Sequence, residues 1–370
     1  MSTYTDTQQA LSVAVAAKAP VILWGAPGQG KSAVLSSMAK QNEMHLETVL
    51  ASIREPSDFA GLPYVVDGRT TLIAPDWAQR IADATQAGGS AVLFFDEIST
   101  APPASQAALL RVVLDRVAGD LYLGDEVSIV AAANPPEIAA DGWDLSAPTA
   151  NRFCHLDWAL PADVVRDGLT MGWPEIAVPQ VDASRLQDSL QEGATLVAAF
   201  LTHRPDMVTV MPDSSAASGR AWPSPRSWEM AARLYGYATA AGVTNTARRM
   251  LVTGTIGQAA AMEFMSYIAE LDLPDPEQVL ADPDSLVVPP RGDQVFAIVS
   301  SVLAAIKANM TADRWIAAGG VIATIARANH ADVAVAAGKT WIGMRPDGSI
   351  MPNPAHLEAL TPILKEAQIL

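Results

Sequence analysis

The chain has 370 residues, half of them apolar and 17% charged, enough for two or more hydrophobic cores. Its 24 basic against 40 acidic side chains leave a formal charge of −16, a field that opposes phosphate backbones and anionic lipid heads. The densest basic pair is Arg248-Arg249, so no basic run offsets that field and nucleic acid is not expected as a partner.

The N-terminus, MSTYTDTQQA, has neither the basic stretch nor the apolar run of a signal peptide, and no segment approaches the ~18 apolar residues of a membrane helix. The single cysteine, Cys154, excludes an internal disulfide framework and reads as a buried thiol in the run from Phe153 to Leu160. A cytoplasmic protein without a membrane partner is the expectation.

Residues 7–18 are predicted as a helix, and Pro20 to Trp24 as an apolar strand that ends at Gly25-Ala26-Pro27-Gly28. A helix from Lys31 leads to a strand near Leu46 to Ala51. The hairpin Leu62 to Val66 and Arg69 to Ile73 turns on Asp67-Gly68, a strong two-residue turn signal. A helix over Asp76 to Ala87 precedes the fully apolar strand Ala91 to Phe95. After a helix at Pro103 to Asp115 and a weaker hairpin about Gly119-Asp120 come strands at Val127 to Ala132 and Phe153 to Trp158. Apolar strands alternating with helices predict a five-stranded parallel sheet covered on both faces, an α/β domain over residues 1–160. Beyond Leu160 helices dominate, with segments expected near 186–203, 226–242, 247–270, 291–309, 312–328 and 354–369. Residues 161–285 are expected to form an all-α lid and 286–370 a C-terminal helical extension, the break falling at Pro289-Pro290. The stretch 209–225, rich in Ser, Ala, Gly and Pro, reads as a loop.

Two segments carry chemistry. Gly25-Ala26-Pro27-Gly28-Gln29-Gly30-Lys31-Ser32 satisfies GxxxxGK[ST] between an apolar strand and a helix. In that context glycines turn backbone N–H groups toward phosphates, Lys31 reaches the outer oxygens and Ser32 offers a hydroxyl to Mg²⁺. The strand ending in Asp96-Glu97 lies 65 residues after Lys31, and parallel strands gather their C-terminal ends at one crevice. Asp96 suits the Mg²⁺ shell and Glu97 the activation of water. Asn134, after the next apolar strand, places a neutral amide where it can report a γ-phosphate.

The segments 25–32, REPSDFAGLP (54–63), VLFFDEIS (92–99), AAANPPE (131–137), ANRF (150–153) and SPRSWE (224–229) together resemble the AAA+ superfamily of P-loop ATPases. Within it they resemble the MoxR-like and dynein-related group, over about residues 7–240. That resemblance implies ATP as cofactor, Asn134 as a first sensor, Arg152 as an arginine finger and Arg226 as a second sensor on the lid. It also implies a homo-oligomer, a hexameric ring, that remodels a partner protein, and as first partner a protein with a von Willebrand factor type A domain. Asn151 departs from the group, many members of which carry an acidic residue before the finger. Arg226 has a rationale of its own, since Ser224 can cap a helix with Pro225 in its first turn. Arg152 has a plainer alternative, an ion pair with Asp157. Tyr64 in the first hairpin is either a substrate-gripping residue facing a ring pore or a cross-strand contact. Trp24, Trp77, Trp143 and Trp158 read as packing. Two other functions stay open: a nucleic-acid translocase on the same ATPase, and a nucleotide-gated scaffold with negligible turnover.

Overall fold

Short runs of β-branched and aromatic residues separated by helices bury both faces only in a parallel sheet with helices on each side. The computed structural model describes residues 4–86, 88–135, 143–271, 273–346 and 354–366. Its strands are β1 (Val21–Trp24), β2 (His45–Leu50), β3 (Leu62–Val66), β4 (Arg69–Ile73), β5 (Ala91–Asp96), β6 (Val117–Ala118), β7 (Leu121–Tyr122), β8 (Val127–Ala133) and β9 (Cys154–Asp157). Five of these pair in parallel in the order β2-β5-β8-β1-β9, as the α/β expectation requires. Every residue of β1 and β8 is buried, which fits the absence of polar alternation in their sequences.

Successive side chains point to opposite faces, so one strand feeds two cores. Val21, Leu23, Phe94 and Val130 pack with Leu11, Leu234 and Leu251 on one face. Ile22, Trp24, Leu93 and Phe95 pack with Trp77, Ile81 and Leu109 on the other. Cys154 is fully buried in the first of these, and burial raises its thiol pKa, so it is an inert core residue.

Contacts divide the chain into two compact units, Met1–Asp182 with Met207–Met262, and Ala183–Asp206 with Glu263–Leu370. These divisions do not follow the expected boundaries after residues 160 and 285. The first unit holds the sheet and the helices Pro225–Ala241 and Asn245–Ile256. The second is helical, built on Ala183–His203, Gly292–Ala308, Ala312–Arg327 and Ala331–Gly343. At its centre Trp315 and Trp341 stack 4.3 Å apart, each indole N–H donating to the other's backbone carbonyl. Among the described residues no helix is long and apolar enough to cross a membrane.

Both hairpins form at the expected residues. Asp67 and Gly68 take positive φ of 49° and 74°, the left-handed pair that a two-residue turn needs. Residues Leu62, Tyr64 and Val65 of β3 are 61%, 59% and 66% exposed, so Tyr64, opposite Thr71, is no core residue. The β6–β7 turn clamps the base of this hairpin. Asp120 accepts the Leu72 N–H at 2.8 Å and returns its own N–H to the Leu72 carbonyl at 3.0 Å.

Three expectations need correction. The helix predicted over 247–270 is two helices, Asn245–Ile256 and Gln258–Glu270, broken at Gly257 (φ 79°), where a Cβ would stand 2.7 Å from the Ala221 carbonyl. Helices Ala162–Met171 and Ala331–Gly343 were not expected; glycines at 168, 338 and 343 dilute their helical pattern. Trp143 is 53% exposed, so it is not a packing residue, whereas Trp24, Trp77 and Trp158 are buried. The loop 209–225 contains one helical turn, Ser215–Ser218, capped by Ser214. The end of the C-terminal helix expected at 354–369, and Pro136 and Glu137 of the AAANPPE segment, lie outside the described residues.

Candidate nucleotide site

Strand β1 ends at Trp24, and Gly25 passes close to the chain just after β9: a Cβ at Gly25 would lie 2.3 Å from the Trp158 carbonyl oxygen. Gly28 and Gly30 take φ of 79° and 69°, which L side chains rarely adopt, and Gly30 opens the helix Lys31–Gln41. The chain therefore turns back on itself and presents N–H groups around a helix N-terminus. Gln29 anchors the outer limb. Its side-chain oxygen accepts the Leu160 N–H at 2.8 Å, and its carbonyl accepts the Trp158 indole N–H at 2.9 Å.

The C-terminal ends of β5 and β8 meet this loop. A cleft of about 350 Å³ is lined by Pro27 to Ala33, Asp96, Glu97, Ala132 and Asn134. Lys31 lies across its floor, 8% exposed, its Nζ donating to the Gly25 carbonyl at 2.6 Å, the Ala26 carbonyl at 3.1 Å and Asn134 Oδ1 at 3.1 Å. Burial lowers the Lys31 pKa while the charges of Asp96 and Glu97 oppose that shift. Ser32 Oγ donates to Asp96 Oδ2 at 2.7 Å. Glu97 sits in the left-handed region (φ 56°), and its carboxylate accepts the Ser52 hydroxyl at 2.9 Å. Ser99 touches Asn134 through its backbone, the Asn134 N–H donating to Ser99 Oγ at 3.3 Å.

The structure thus collects Pro27 to Ser32, Asp96, Glu97 and Asn134 at one mouth, with the Gly25 and Ala26 carbonyls holding Lys31. Arg152 and Arg226 are not among the residues that line it. Arg152 precedes β9, the edge strand, and is half-buried; its guanidinium donates to the Pro148 carbonyl within its own turn. Its Nε is buried without a partner among the described residues. Asp157, the alternative ion-pair partner, is instead 3.4 Å from Arg220, which stacks over Trp24 at 3.9 Å. Burial first, and the Arg226 charge second, disfavour the charge on Arg152. Arg226 is exposed in the first turn of Pro225–Ala241, where Ser224 caps the helix and Ser227 closes the box.

A model of the AAA domain of the dynein-related subfamily matches residues 20–153, a span that contains the glycine loop, Asp96-Glu97, Asn134 and Arg152. Residues 20–153 are an AAA domain, the domain of P-loop ATPases. Comparison with curated proteins returns no match. Solved structures similar to it include a candidate ATPase from Cytophaga hutchinsonii, 14% identical, covering 72% of this chain and 89% of that one, with a TM-score of 0.43. A full-length MCM homolog from Methanopyrus kandleri is 16% identical, covering 67% and 55%, with a TM-score of 0.38. NtrX from Brucella abortus is 16% identical, covering 87% and 64%, with a TM-score of 0.21. At these scores they carry no part of the functional reading.

Two contacts at this AAA domain have no sequence signal. Ser52 is one serine in a loop, brought to Glu97 only because Leu50 pairs with Asp96 across β2 and β5. His155, fully buried, accepts the Trp24 indole N–H at Nδ1 and donates from Nε2 to the Ala150 carbonyl; burial pushes its pKa down to about 4, so it is neutral. It ties the strand end before the glycine loop to the turn before Arg152. Removing Lys31 tests the cleft directly. Lys31→Ala should weaken ATP binding at least tenfold, read by titration with a fluorescent ATP analogue, because the cation that would meet the phosphates is lost. Unchanged affinity would remove Lys31 from the site.

Proposed function

We propose that this ATPase is a chaperone-like remodelling motor of the MoxR-like kind, which uses Mg-ATP hydrolysis to change the conformation of a partner protein. The observation that supports it most is that the segment leading into an exposed apolar hairpin touches Glu97 of the cleft. Ser52 donates to Glu97, and β3, with Leu62, Tyr64 and Val65 exposed, begins ten residues later. A change at Glu97 therefore has a short route, one hydrogen bond and ten residues of chain, to a surface able to grip an apolar client.

In this reading Gly25, Ala26, Pro27, Gly28, Gln29 and Gly30 cradle the phosphates, Lys31 binds the outer oxygens, and Asn134 senses the γ-phosphate. Glu97 orients and deprotonates the attacking water. Ser32 and Asp96 fit a magnesium ion, being two oxygen donors 2.7 Å apart at the cleft mouth. Among the described residues no group of three or more His, Cys, Asp or Glu could hold a metal, which suits a cation held largely by phosphate and water. Magnesium would neutralise charge on the β- and γ-phosphates. Arg152 and Arg226 supply guanidinium groups to nucleotide in an assembled hexameric ring, and a von Willebrand factor type A protein is the first partner to seek. The proposed organisation keeps residues 1–160 as the nucleotide-binding domain, with 161–285 as lid and 286–370 as helical extension, in the cytoplasm.

Steady-state phosphate release from the purified chain tests this reading, with and without DNA. ATP turnover that DNA leaves unchanged supports it. Stimulation by DNA would favour a nucleic-acid motor despite the charge of −16, and turnover no faster than that of Glu97→Gln would favour a scaffold. Tyr64→Ala should keep basal ATPase and the parent melting temperature, since Tyr64 is exposed, yet lose stimulation by the client. A large drop in melting temperature would return Tyr64 to a structural role.

A further inference from the structure

Asn151 is the residue at which this sequence departs from the group it resembles, and its side chain is buried, 4% exposed. Its amide is engaged at both ends. Nδ2 donates to the Trp222 carbonyl at 2.9 Å, and Oδ1 accepts the Ser224 hydroxyl at 2.5 Å. Ser224 is the N-cap of the helix whose second residue is Arg226, and Asn151 immediately precedes Arg152. One side chain therefore joins the turn that carries one arginine to the helix end that carries the other, across more than 70 positions of chain.

We propose that Asn151 is a positioning residue that holds Arg152 and Arg226 as one rigid pair of guanidinium groups presented to a single polyphosphate. This rests on the reading of both arginines as phosphate ligands. An amide suits the task better than a carboxylate. It donates to one backbone carbonyl and accepts one hydroxyl, whereas a carboxylate only accepts and would face the Trp222 carbonyl oxygen with like partial charge. Neutrality also leaves both guanidinium groups free of an internal counter-ion at this residue, so their charge remains available to an anion. Beyond burial, the Arg226 charge disfavours that of Arg152, with Asp115 opposing in part, and a polyphosphate would relieve the repulsion. The Nε of Arg152 is buried without a partner among the described residues, an unmet donor that a turn of the guanidinium toward such a ligand would satisfy.

The test compares Asn151→Leu, close in size but unable to hydrogen-bond, with Arg152→Ala/Arg226→Ala and with the triple variant, in the full chain. ATP affinity of Asn151→Leu should stay within about twofold of the parent, because Asn151 does not line the cleft, and the arginine variants are read by turnover. Turnover of Asn151→Leu should fall tenfold to a hundredfold with KM little changed. The triple variant should turn over no more slowly than the double arginine variant, since the residues act through one interaction. Ser224→Ala, which removes only the Oδ1 partner, should fall in the same direction by less, and it serves where Asn151→Leu does not fold. Parental turnover in both variants beside impaired arginine variants overturns the positioning role alone, as does a further loss in the triple variant. Parental turnover in Arg152→Ala/Arg226→Ala overturns the arginine reading and this proposal with it.

Discussion

Glu97→Gln should bind ATP with parental affinity and hydrolyse it about 10²–10⁴-fold more slowly, the range expected when a general base is lost. The amide keeps the size of the side chain and can still accept the Ser52 hydroxyl, so the cleft is preserved. What it cannot do is take a proton from water. Lys31 and the glycine loop, which would meet the ground-state phosphates, are untouched, so affinity and turnover should separate. Fluorescent nucleotide titration reads the first and phosphate release the second. A variant that turns over like the parent would deprive Glu97 of its role, and the left-handed backbone at φ 56° would then be a local feature of the strand end.

Arg152→Ala should also bind ATP normally, with turnover lower by about 10³–10⁵-fold, the worth of an arginine supplied to a transferring phosphoryl group. Arg152 lies outside the residues lining its own cleft, and it precedes the edge strand β9. In a head-to-tail ring each subunit offers such an edge to the next one's phosphates. Parent activity per subunit should accordingly rise with protein concentration as rings assemble. Mixing Arg152→Ala with Glu97→Gln should restore part of the activity, because a Glu97→Gln subunit still carries Arg152 and completes a neighbour whose Glu97 is intact. Burial and Arg226 oppose the charge on Arg152 while Asp115 favours it, so the melting temperature is read beside turnover to separate a folding defect from a loss of hydrolysis. Mixed rings that exchange subunits yet show only the sum of the separate activities would make Arg152 a local structural charge.

Much of this protein is legible in its sequence, because the signals are local. Gly25 to Ser32 sits between an apolar strand and a helix, Asp96-Glu97 ends a strand with no polar interruption, and Asp67-Gly68 sets a hairpin register by turn geometry alone. The parallel sheet follows from strands that alternate with helices and cannot be covered otherwise. Contacts between distant residues were decided by the tertiary structure. Lys31 reaches Asn134, Ser52 reaches Glu97, and Asn151 reaches Ser224 only once strand order and packing bring them together. The break at Gly257 is of the same kind: residues 247–270 carry one helical pattern, and only the carbonyl of Ala221 demands that it be two. The compact units likewise cut across the expected boundaries, since Ala183–Asp206 groups with residues far along the chain. Periodicity and turn residues report what a segment does with its own backbone, whereas the partner of a buried side chain depends on which elements the fold stacks against it.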